Sequence, residues 1–462
     1  MKKFWNLDLI SYTLCILFTI VGILVSLNRF WQYEAFYIDF GEYDQAIWAI
    51  SRFQPPMLDH WILGFISIFA DHLTPSVFLL SPLYWFTSNS EVILIAQAII
   101  VGLSGLVLYS IGKTIIKDKF ISAAVLFCYY MFVGLQNAVI TEFHEITVMT
   151  LFFILTFWAF VKKKRFLYFV FLIIMLGFKE ITFLIGVCLG IAIFIIDRKW
   201  KKEAIVTIIL SILWGVIAIK IIIPYFSPGT YLYAEGIPDA ISDKLTALFD
   251  HPLKRHTLFY SFLSFGFLPI FAPQFWALMV QDYLSRFLTQ NFSTRWDLGL
   301  HYNAISAVIL ALATIYAIKF LIKYPFVKKY RYIVVYLLIG NALFLNRFVL
   351  HGPFNLVYNK AFYDHTKQFT FLDIMVKMVP PNATVSTHNN LASRFTHQRV
   401  WLLKDNYEIH KPEYILIDNR QGQNPNDFTG TGDLDQILKK VLDDPNYQAI
   451  YRTKEQYVFN RK

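Results

Sequence analysis

The segment DFGEYDQAIWAISR, residues 39–52, places three carboxylates close together soon after the first long apolar run. They are Asp39, Glu42 and Asp44. In a helix Asp44 lies on the same face as Trp48, because side chains four residues apart are neighbours. A carboxylate that an aromatic ring partly shields from water could act as a general base, and an indole could also pack on a sugar ring. The alternative is an amphipathic helix at the membrane interface with its polar side in water.

The motif EFHE contains Glu142, His144 and Glu145, and imidazole together with carboxylates can hold a divalent metal. On a helix these three side chains cannot all point the same way, and the motif lacks the two-histidine spacing of a metalloprotease. Glu142 and His144 are therefore candidate ligands for a divalent cation such as Mg²⁺ or Mn²⁺. The sequence requires no other cofactor.

Two cations in short polar motifs are candidates for binding phosphate. Lys179 in FKE is a point charge that could contact a phosphate, and Arg295 in RWDLGLHY could bind one through two parallel hydrogen bonds. The alternatives are a lysine that extends to the membrane interface and a structural pair between Arg295 and Asp297.

Further polar residues occur next to apolar runs. Burying such groups at the end of a membrane span is costly unless they are paired or face a wet cavity. The alternative is that each is an ordinary interfacial residue in water. We expect the following residues to line a substrate site: His60, His72, Glu180, His301 and Tyr302.

The composition indicates that a bundle of membrane-spanning helices positions these residues. Of the 462 residues 56% are hydrophobic and only 16% are charged, whereas about a quarter are charged in a soluble domain. The net charge of +10 comes from short basic clusters such as KKKR and DRKWKK, which mark the cytoplasmic side. Nucleic-acid binding is not expected, because it requires a basic patch on a soluble surface. The sequence also has no P-loop and no serine-nucleophile motif.

The apolar runs and basic loops predict a mainly α-helical polytopic protein of the plasma membrane with about eleven crossings. The transmembrane domain covers residues 1–355, with the N-terminus inside and an outer loop at 29–90. Residues 64–86 contain an ionisable pair and two prolines, so we expect them to fold back to the outer side. A polar external loop is expected at 228–245. In this topology the acidic and histidine motifs all lie in one layer at the outer side.

The composition changes after His351, and residues 362–462 are expected to form a small extracytoplasmic α/β domain. The segment FLDIMVKMV has the apolar spacing of a helix, and so does DLDQILKKVLDD. The short runs ATVST, RVWLL and YILID are typical of strands between turns, and YQAIYRTK with YVFNR predicts a closing hairpin.

The motifs together resemble the GT-C superfamily, which comprises polytopic glycosyltransferases that use lipid-linked sugar donors. Many members carry an Asp-Glu-x-x-Tyr-like motif in the first outer loop, followed by a small and a basic residue. Here Asp44 stands for the aspartate, Gln45 for the glutamate, Trp48 for the aromatic residue and Arg52 for the basic residue. The segments DFGEYDQAIW, ADHLTPSVFLLSPLYW, EFHE, FKE and LHYNA are similar to a family of predicted membrane proteins within that superfamily. PPNATVSTHNNLASRFTHQRVWLL and PEYILID fit the same family.

The resemblance implies a polyprenyl-phosphate sugar donor and an external C-terminal domain near a glycan, lipid or protein acceptor. It also implies a first-loop aspartate, here Asp44, as the base. On this basis we expect inverting transfer, with Asp39 and Glu42 as further catalytic residues. Arg52 would join the phosphate-binding cations, while Gln45 and Trp48 would contact substrate. Gln45 departs from the family pattern, because glutamine is a poorer metal ligand than glutamate.

Two other classes of function stay open at this point. A lipid-linked glycan transporter would need a polar path through the bilayer, and the sequence shows no chain of charges across its centre. A non-catalytic membrane assembly protein would bind its partner through the C-terminal domain alone.

Overall fold

The structure is a computed structural model that describes residues 7–227, 244, 246–289, 293–420 and 434–462. Most of the external loop expected at 228–245 lies outside these residues. Apolar helices make up the first three quarters of the chain, and a small mixed sheet with short helices makes up the last quarter. This confirms the expected fold class, a mainly α-helical polytopic protein with a small C-terminal α/β domain.

The helical part is built from apolar segments separated by short loops. Its helices are α1 (Leu7–Trp31), α2 (Glu42–Ser51), α3 (Glu91–Ile116), α4 (Lys119–Met131), α5 (Val133–Ile140), α6 (Glu145–Val161), α7 (Arg165–Leu176), α8 (Thr182–Ile196), α9 (Lys201–Ile217, continued by Ile223–Phe226), α10 (Pro252–Ser264), α11 (Trp276–Phe287), α12 (Asn303–Leu321) and α13 (Pro325–Phe344).

Within the described residues, five helices are long and apolar enough to cross a membrane, namely α1, α3, α9 with its flanking turns, α12 and α13. The pair α4 and α5 adds a sixth candidate if it is one bent span, and α6, α7 and α8 are shorter apolar helices. These candidates are fewer than the eleven or so crossings expected from the sequence, because several of the other helices are too short to span about 30 Å alone.

A bend of 52° separates α4 from α5 at Phe132, whose backbone is extended. The bend releases carbonyl groups from the helical pattern, and in an apolar bundle these need other donors. Gln136 Nε2 donates to the Tyr130 carbonyl at 2.9 Å, and Asn346 Nδ2 donates to the Met131 carbonyl at 2.9 Å. Two amide side chains therefore stabilise the break.

The loop between α1 and α3 forms a compact structure on one end of the bundle. It contains α2, a β-hairpin of β1 (Met57–His60) and β2 (Gly64–Ser67), and a 3₁₀ segment at Pro75–Trp85. The 3₁₀ segment returns to α2, where Trp85 Nε1 donates to the Ser51 carbonyl at 2.9 Å. Residues 64–86 therefore fold back onto α2 instead of forming one continuous helix.

The C-terminal domain is a five-stranded mixed sheet in the order β4-β3-β5-β7-β6, with both β4 and β5 parallel to β3. The expected strands and closing hairpin are confirmed. Its elements are α14 (Lys360–Thr366), α15 (Thr370–Lys377), β3 (Val385–Thr387), α16 (Asn389–Ala392), β4 (Val400–Leu402), β5 (Tyr414–Asp418), α17 (Leu434–Asp443), β6 (Tyr447–Arg452) and β7 (Gln456–Arg461).

The C-terminal domain shares its hydrophobic core with the loop after α1. Tyr33 and Tyr37 are buried in the same cluster as Leu372, Val385 and Leu416. The sheet therefore lies on the end of the helix bundle that carries α2 and the hairpin.

Candidate active site

A cavity of about 540 Å³ opens at the end of the bundle next to the C-terminal domain. Loops that are far apart in sequence supply its polar wall. Ten of the predicted site residues line it: Asp39, Glu42, His60, His72, His144, Lys179, Glu180, Arg295, His301 and Tyr302. The lining also includes Asp71, Glu145, Asp282 and Arg286, which were not among the predicted site residues.

Lys179 forms the centre of the positive charge in the cavity. Its Nζ lies 2.8 Å from Glu145 Oε1, and both side chains are largely buried. Burial alone would lower the pKa of Lys179, but the carboxylates of Glu145 and Glu180 outweigh it and raise the pKa. The lysine is therefore a permanent cation at neutral pH.

A chain of imidazoles and carboxylates lines the cavity next to Lys179. Asp71 lies between His60 and His72, with nitrogen–oxygen distances of 3.6 Å to each. His72 Nδ1 lies 3.0 Å from Glu180 Oε1. Burial alone would lower the pKa of His72, but the carboxylates of Asp71 and Glu180 raise it. This wall can therefore hold a proton on His72.

Two stacked histidines also line the cavity. The ring centroids of His144 and His301 are 3.4 Å apart. Burial lowers the pKa of both side chains, so both are neutral at pH 7. His301 Nδ1 is buried and has no hydrogen-bond partner among the described residues, which leaves it available to a bound ligand.

Glu42 is the cavity carboxyl with the most unusual surroundings. Its side chain is buried, and its Oε1 has no hydrogen-bond partner in the described part of the chain. Burial, followed by the charges of Asp71 and Asp39, raises its pKa well above the ordinary value. A buried carboxyl with a raised pKa at the wall of a cavity is a candidate for proton transfer.

Asp39 reaches the cavity from a strained turn. Its φ of +77° and ψ of −85° lie in a region that residues other than glycine rarely adopt. Glu142 supports the turn, because its Oε2 accepts hydrogen bonds from the backbone N–H groups of Phe36 at 3.1 Å and Phe40 at 3.3 Å. Backbone strain of this kind persists only where the surrounding structure holds it in place.

The role expected for Glu142 as a metal ligand is therefore not supported by its position. Its carboxyl group binds backbone amides, and it does not line the cavity, whereas His144 does. Among the described residues no group of three or more His, Cys, Asp or Glu side chains has the arrangement of a metal site.

Gln97 on α3 holds both ends of the EFHE turn, and the sequence did not indicate it. Its Nε2 donates to the Glu142 carbonyl at 2.6 Å, and its Oε1 accepts from the His144 N–H at 2.9 Å. A polar residue in a long apolar helix was the signal that could have revealed it.

Arg286 on α11 is a second supporting residue that was not predicted. Its guanidinium donates to the carbonyls of Arg295 at 3.0 Å and Asp297 at 3.1 Å, and to Ser306 Oγ at 3.1 Å. Arg286 therefore fixes the loop from which Arg295 reaches the cavity.

Asp44 does not line the cavity, in contrast to the role expected for it. Its carboxylate is fully buried and accepts hydrogen bonds from Tyr84 Oη and Thr396 Oγ1, with His397 Nε2 at 3.1 Å. Trp48 shares its helix face, as predicted, but stacks on His397 with a centroid distance of 3.9 Å. This face of α2 binds the C-terminal domain, and its aspartate has structural partners.

Two other predicted residues also lie outside the cavity. The Arg52 guanidinium packs 4.3 Å from the centre of the Trp48 ring and donates to the Tyr84 carbonyl, so it is not placed to bind a phosphate there. Gln45 accepts from Tyr37 Oη at 2.6 Å and donates to the Met57 carbonyl at 3.1 Å. The glutamine joins α2 to the hairpin.

An apolar groove extends from the polar end of the cavity between α8 and α11. Leu184 and Ile185 line it on one side, and Ala277, Val280 and Leu284 line it on the other. Val280 is 55% exposed, so the groove opens sideways from the bundle. The cavity therefore combines a charged end with a lateral apolar opening.

A larger cavity of about 730 Å³ lies near the other ends of α3, α6, α8 and α12. Its charged lining residues are Lys163, Asp197, Lys319 and Lys323, and Lys163 pairs with Asp197 at 2.6 Å. Lysines near helix C-termini are expected from the helix dipole alone. The two cavities share no lining residue.

The apolar helices, the charged cavity and the α/β domain on one end define a multi-span membrane protein. The family model described as "Predicted membrane protein (DUF2079)" matches residues 31–457. The chain therefore belongs to this family, which confirms the resemblance to a family of predicted membrane proteins.

The chain is similar over nearly its whole length to two crystal structures of ArnT from Cupriavidus metallidurans, at 12% sequence identity in both cases. The structure bound to undecaprenyl phosphate has a TM-score of 0.48 and covers 96% of this chain and 97% of its own. The apo structure has a TM-score of 0.43, with 95% and 97% covered. Scores this low support no functional conclusion. No curated protein matches the sequence.

Proposed function

We propose that the protein is a membrane glycosyltransferase that transfers a sugar, with inversion, from a polyprenyl-phosphate donor. The observation that carries the proposal is a single cavity with buried carboxyls, fixed cations and a lateral apolar groove. A sugar phosphate linked to a lipid has matching parts, namely a charged head, a polyhydroxyl ring and a long apolar tail. The acceptor is a glycan, lipid or protein on the side of the C-terminal domain, which we place outside the plasma membrane.

Lys179 and Arg295 are the proposed phosphate-binding residues. Lys179 is held by Glu145, and the loop that carries Arg295 is held by Arg286. Cations fixed in this way stabilise the negative charge that develops on a leaving phosphate without rearranging during the reaction. Arg52 is left out of this set because it packs against Trp48.

The groove between α8 and α11 is the proposed site of the lipid tail. It begins at Ile181, close to Lys179 in the sequence, and continues along Val280 and Leu284. A polyprenyl chain that enters sideways from the bilayer would place its phosphate beside the lysine.

Glu42 replaces Asp44 as the proposed base. The acceptor hydroxyl forms a bond to the anomeric carbon while the bond from that carbon to the phosphate oxygen breaks. The electron pair of the broken bond leaves with the polyprenyl phosphate, and the hydroxyl proton passes to the Glu42 carboxylate. A single displacement of this kind inverts the anomeric centre. Asp39 and His301 are proposed to orient the two sugars.

The proposal is tested by sugar transfer in proteoliposomes that contain a panel of polyprenyl-phosphate sugars and native membrane extract as acceptor. We expect Glu42→Gln to lower kcat at least about 100-fold, because the amide cannot take a proton. Glu34→Gln is the matched control, since Glu34 lies in the same loop, is partly exposed and pairs with Arg29 at 3.3 Å. Full activity of Glu42→Gln would exclude Glu42 as the base.

The same assay separates this function from lipid-glycan transport. A transporter needs a route between the two ends of the bundle, and the cavities at those ends share no residue. Movement of the lipid-linked sugar across the bilayer that is unaffected by Glu42→Gln, with no sugar transferred, would support transport instead.

A further inference from the structure

The loop after α1 forms part of the cavity wall, and this part has two sides. One side faces the cavity, and the other is hydrogen-bonded to the C-terminal domain. The polar residues on the cavity side are Asp39, Glu42 and His60, and those bonded to the C-terminal domain are Asp44, Asp59 and Ile38, the last through its backbone N–H. The Ile38 residue also lines the cavity. Each cavity residue thus has a neighbour within two positions that is anchored to the domain.

Asn389 anchors the strained turn directly. Its Oδ1 accepts a hydrogen bond from the Ile38 N–H at 2.8 Å, and the asparagine is buried at the start of α16. Glu142 accepts from the N–H groups on either side, at Phe36 and Phe40. Asp39 therefore adopts its unusual backbone between one anchor from the helix bundle and one from the C-terminal domain.

Asp59 is the anchor for His60. Its Oδ2 accepts from the Leu402 N–H of β4 at 2.9 Å. Successive side chains of a strand point to opposite sides, so the bond that holds Asp59 against the sheet directs His60 into the cavity.

Asp44 is the anchor for α2. Thr396 donates to its carboxylate, and the His397 ring stacks on Trp48 one turn further along the helix. These contacts fix the rotation of α2, and the rotation determines that Glu42 faces the cavity.

The C-terminal partners in these three contacts are Asn389, Thr396 and Leu402, and all of them lie in β4 or in the segment that joins β3 to β4. In α/β sheets the carboxyl ends of parallel strands usually form the crevice where ligands bind. Here the carboxyl ends of β3 and β4 instead contact the loop after α1.

We propose that this edge of the C-terminal sheet positions the cavity wall, and that Asn389 is the positioning residue for Asp39. The C-terminal domain then holds part of the cavity wall in place, in addition to any role in binding the acceptor. The kinetic consequence rests on the proposed function, whereas the effect on the conformation of the turn does not.

The test measures amide hydrogen–deuterium exchange of the full-length protein in nanodiscs. Asn389→Leu removes the acceptor, so we expect exchange in peptides covering residues 36–42 to become about five- to tenfold faster. Asn389→Asp keeps an acceptor oxygen and should restore slow exchange. Asn389→Ala serves as a second variant if the leucine does not fold.

Tyr33→Phe is the matched control, because it also removes one hydrogen bond between the loop after α1 and the C-terminal domain. Tyr33 Oη donates to Asp373 Oδ1 at 2.7 Å, away from the turn. We expect exchange at 36–42 to be unchanged in this variant. Unchanged exchange in both Asn389→Leu and Asn389→Ala, or an equal increase in Tyr33→Phe, would overturn the proposal.

Where transfer activity is measurable, Asn389→Leu should lower kcat about tenfold with little change in KM for the donor, because the phosphate site is formed by other loops. If exchange is faster in Asn389→Leu but the wild-type protein transfers no sugar, the positioning role is supported and the glycosyltransferase function is rejected. An unchanged kcat in a variant with faster exchange would show that Asp39 needs no fixed position.

Discussion

Glu42 and Asp44 are two residues apart on α2, and both are buried. They differ in the hydrogen-bond partners of their carboxyl groups. Asp44 has partners for its carboxylate from Tyr84, Thr396 and His397. Glu42 faces the cavity, and its Oε1 has no partner among the described residues. A buried polar group with every bond made stabilises the fold, whereas one left open at a cavity wall requires a functional explanation. The comparison separates a structural acid from a candidate catalytic acid within a single motif.

The largest loss of activity is expected from replacing Lys179, which supplies positive charge on the cavity side. Lys179→Met should lower sugar transfer roughly 1000-fold, because the proposed phosphate-binding cation is lost and Glu145 is left buried without its partner. Transfer in proteoliposomes measures the loss, and Lys163→Met in the other cavity is the control, for which no loss is expected. Equal losses in the two variants would show that lysine replacement acts through general destabilisation.

The pH dependence of activity tests the assignment of Glu42. A base must be ionised, so kcat/KM should fall as pH drops through its pKa. Burial and nearby acids raise that pKa, so the acidic limb should lie above the value of about 4.3 for an ordinary glutamate. A profile measured on the wild-type protein that stays flat down to that value would contradict the assignment.

The pH dependence of stability tests the same group without requiring turnover. Because its folded pKa is raised, Glu42 stabilises the fold most below about pH 4.3, and this contribution is lost as pH rises through the folded pKa. Glu42→Gln should therefore weaken the fall in melting temperature with rising pH. Parallel melting curves for variant and wild type would indicate an ordinary, solvated carboxylate.

Asp44→Asn should give the converse result. The amide presents a donor where the carboxylate accepted hydrogen bonds, so we expect a loss of about 1–3 kcal/mol of stability. Transfer per folded molecule should fall by about tenfold, far less than in Glu42→Gln, because the side chain does not line the cavity and acts only through the rotation of α2. Melting temperature and activity are measured on the same samples. A stable but inactive Asp44→Asn would return Asp44 to the role of base.

The smallest effect is expected for Arg52→Ala. The variant loses a cation–π contact with Trp48 at the exposed end of α2, which contributes about 0.5–1 kcal/mol. KM for the lipid-linked donor should not change. A clear increase in KM would place Arg52 among the phosphate-binding residues after all.

The sequence predicted the grouping of the polar motifs but not the direction of each side chain. The topology predicted from the apolar runs and basic loops was sufficient to place Lys179, His144 and His301 at the same end of the bundle. It could not show which side of α2 faces the cavity, since a helix with acids on several faces is consistent with either orientation. That choice depends on Thr396 and His397, which are more than 340 residues away along the chain.

The supporting residues were missed for a related reason. Gln97 and Arg286 lie within helices whose composition predicts only membrane spans, and their partners are backbone groups of distant loops. A side chain that bonds to backbone groups can have any residue type as its partner, so the sequence of a motif does not reveal the bond. The fold class and the sheet of the C-terminal domain, in contrast, depend on local apolar patterns and were predictable.

The central claim is that the cavity beside the C-terminal domain binds a lipid-linked phosphate. A map of the protein in nanodiscs with added polyprenyl phosphate tests it most directly. We predict density for the phosphate within hydrogen-bonding distance of Lys179 and Arg295, with the lipid chain along the groove between α8 and α11. Phosphate density at Lys319 and Lys323 in the opposite cavity, or an empty groove at saturating lipid, would contradict the account.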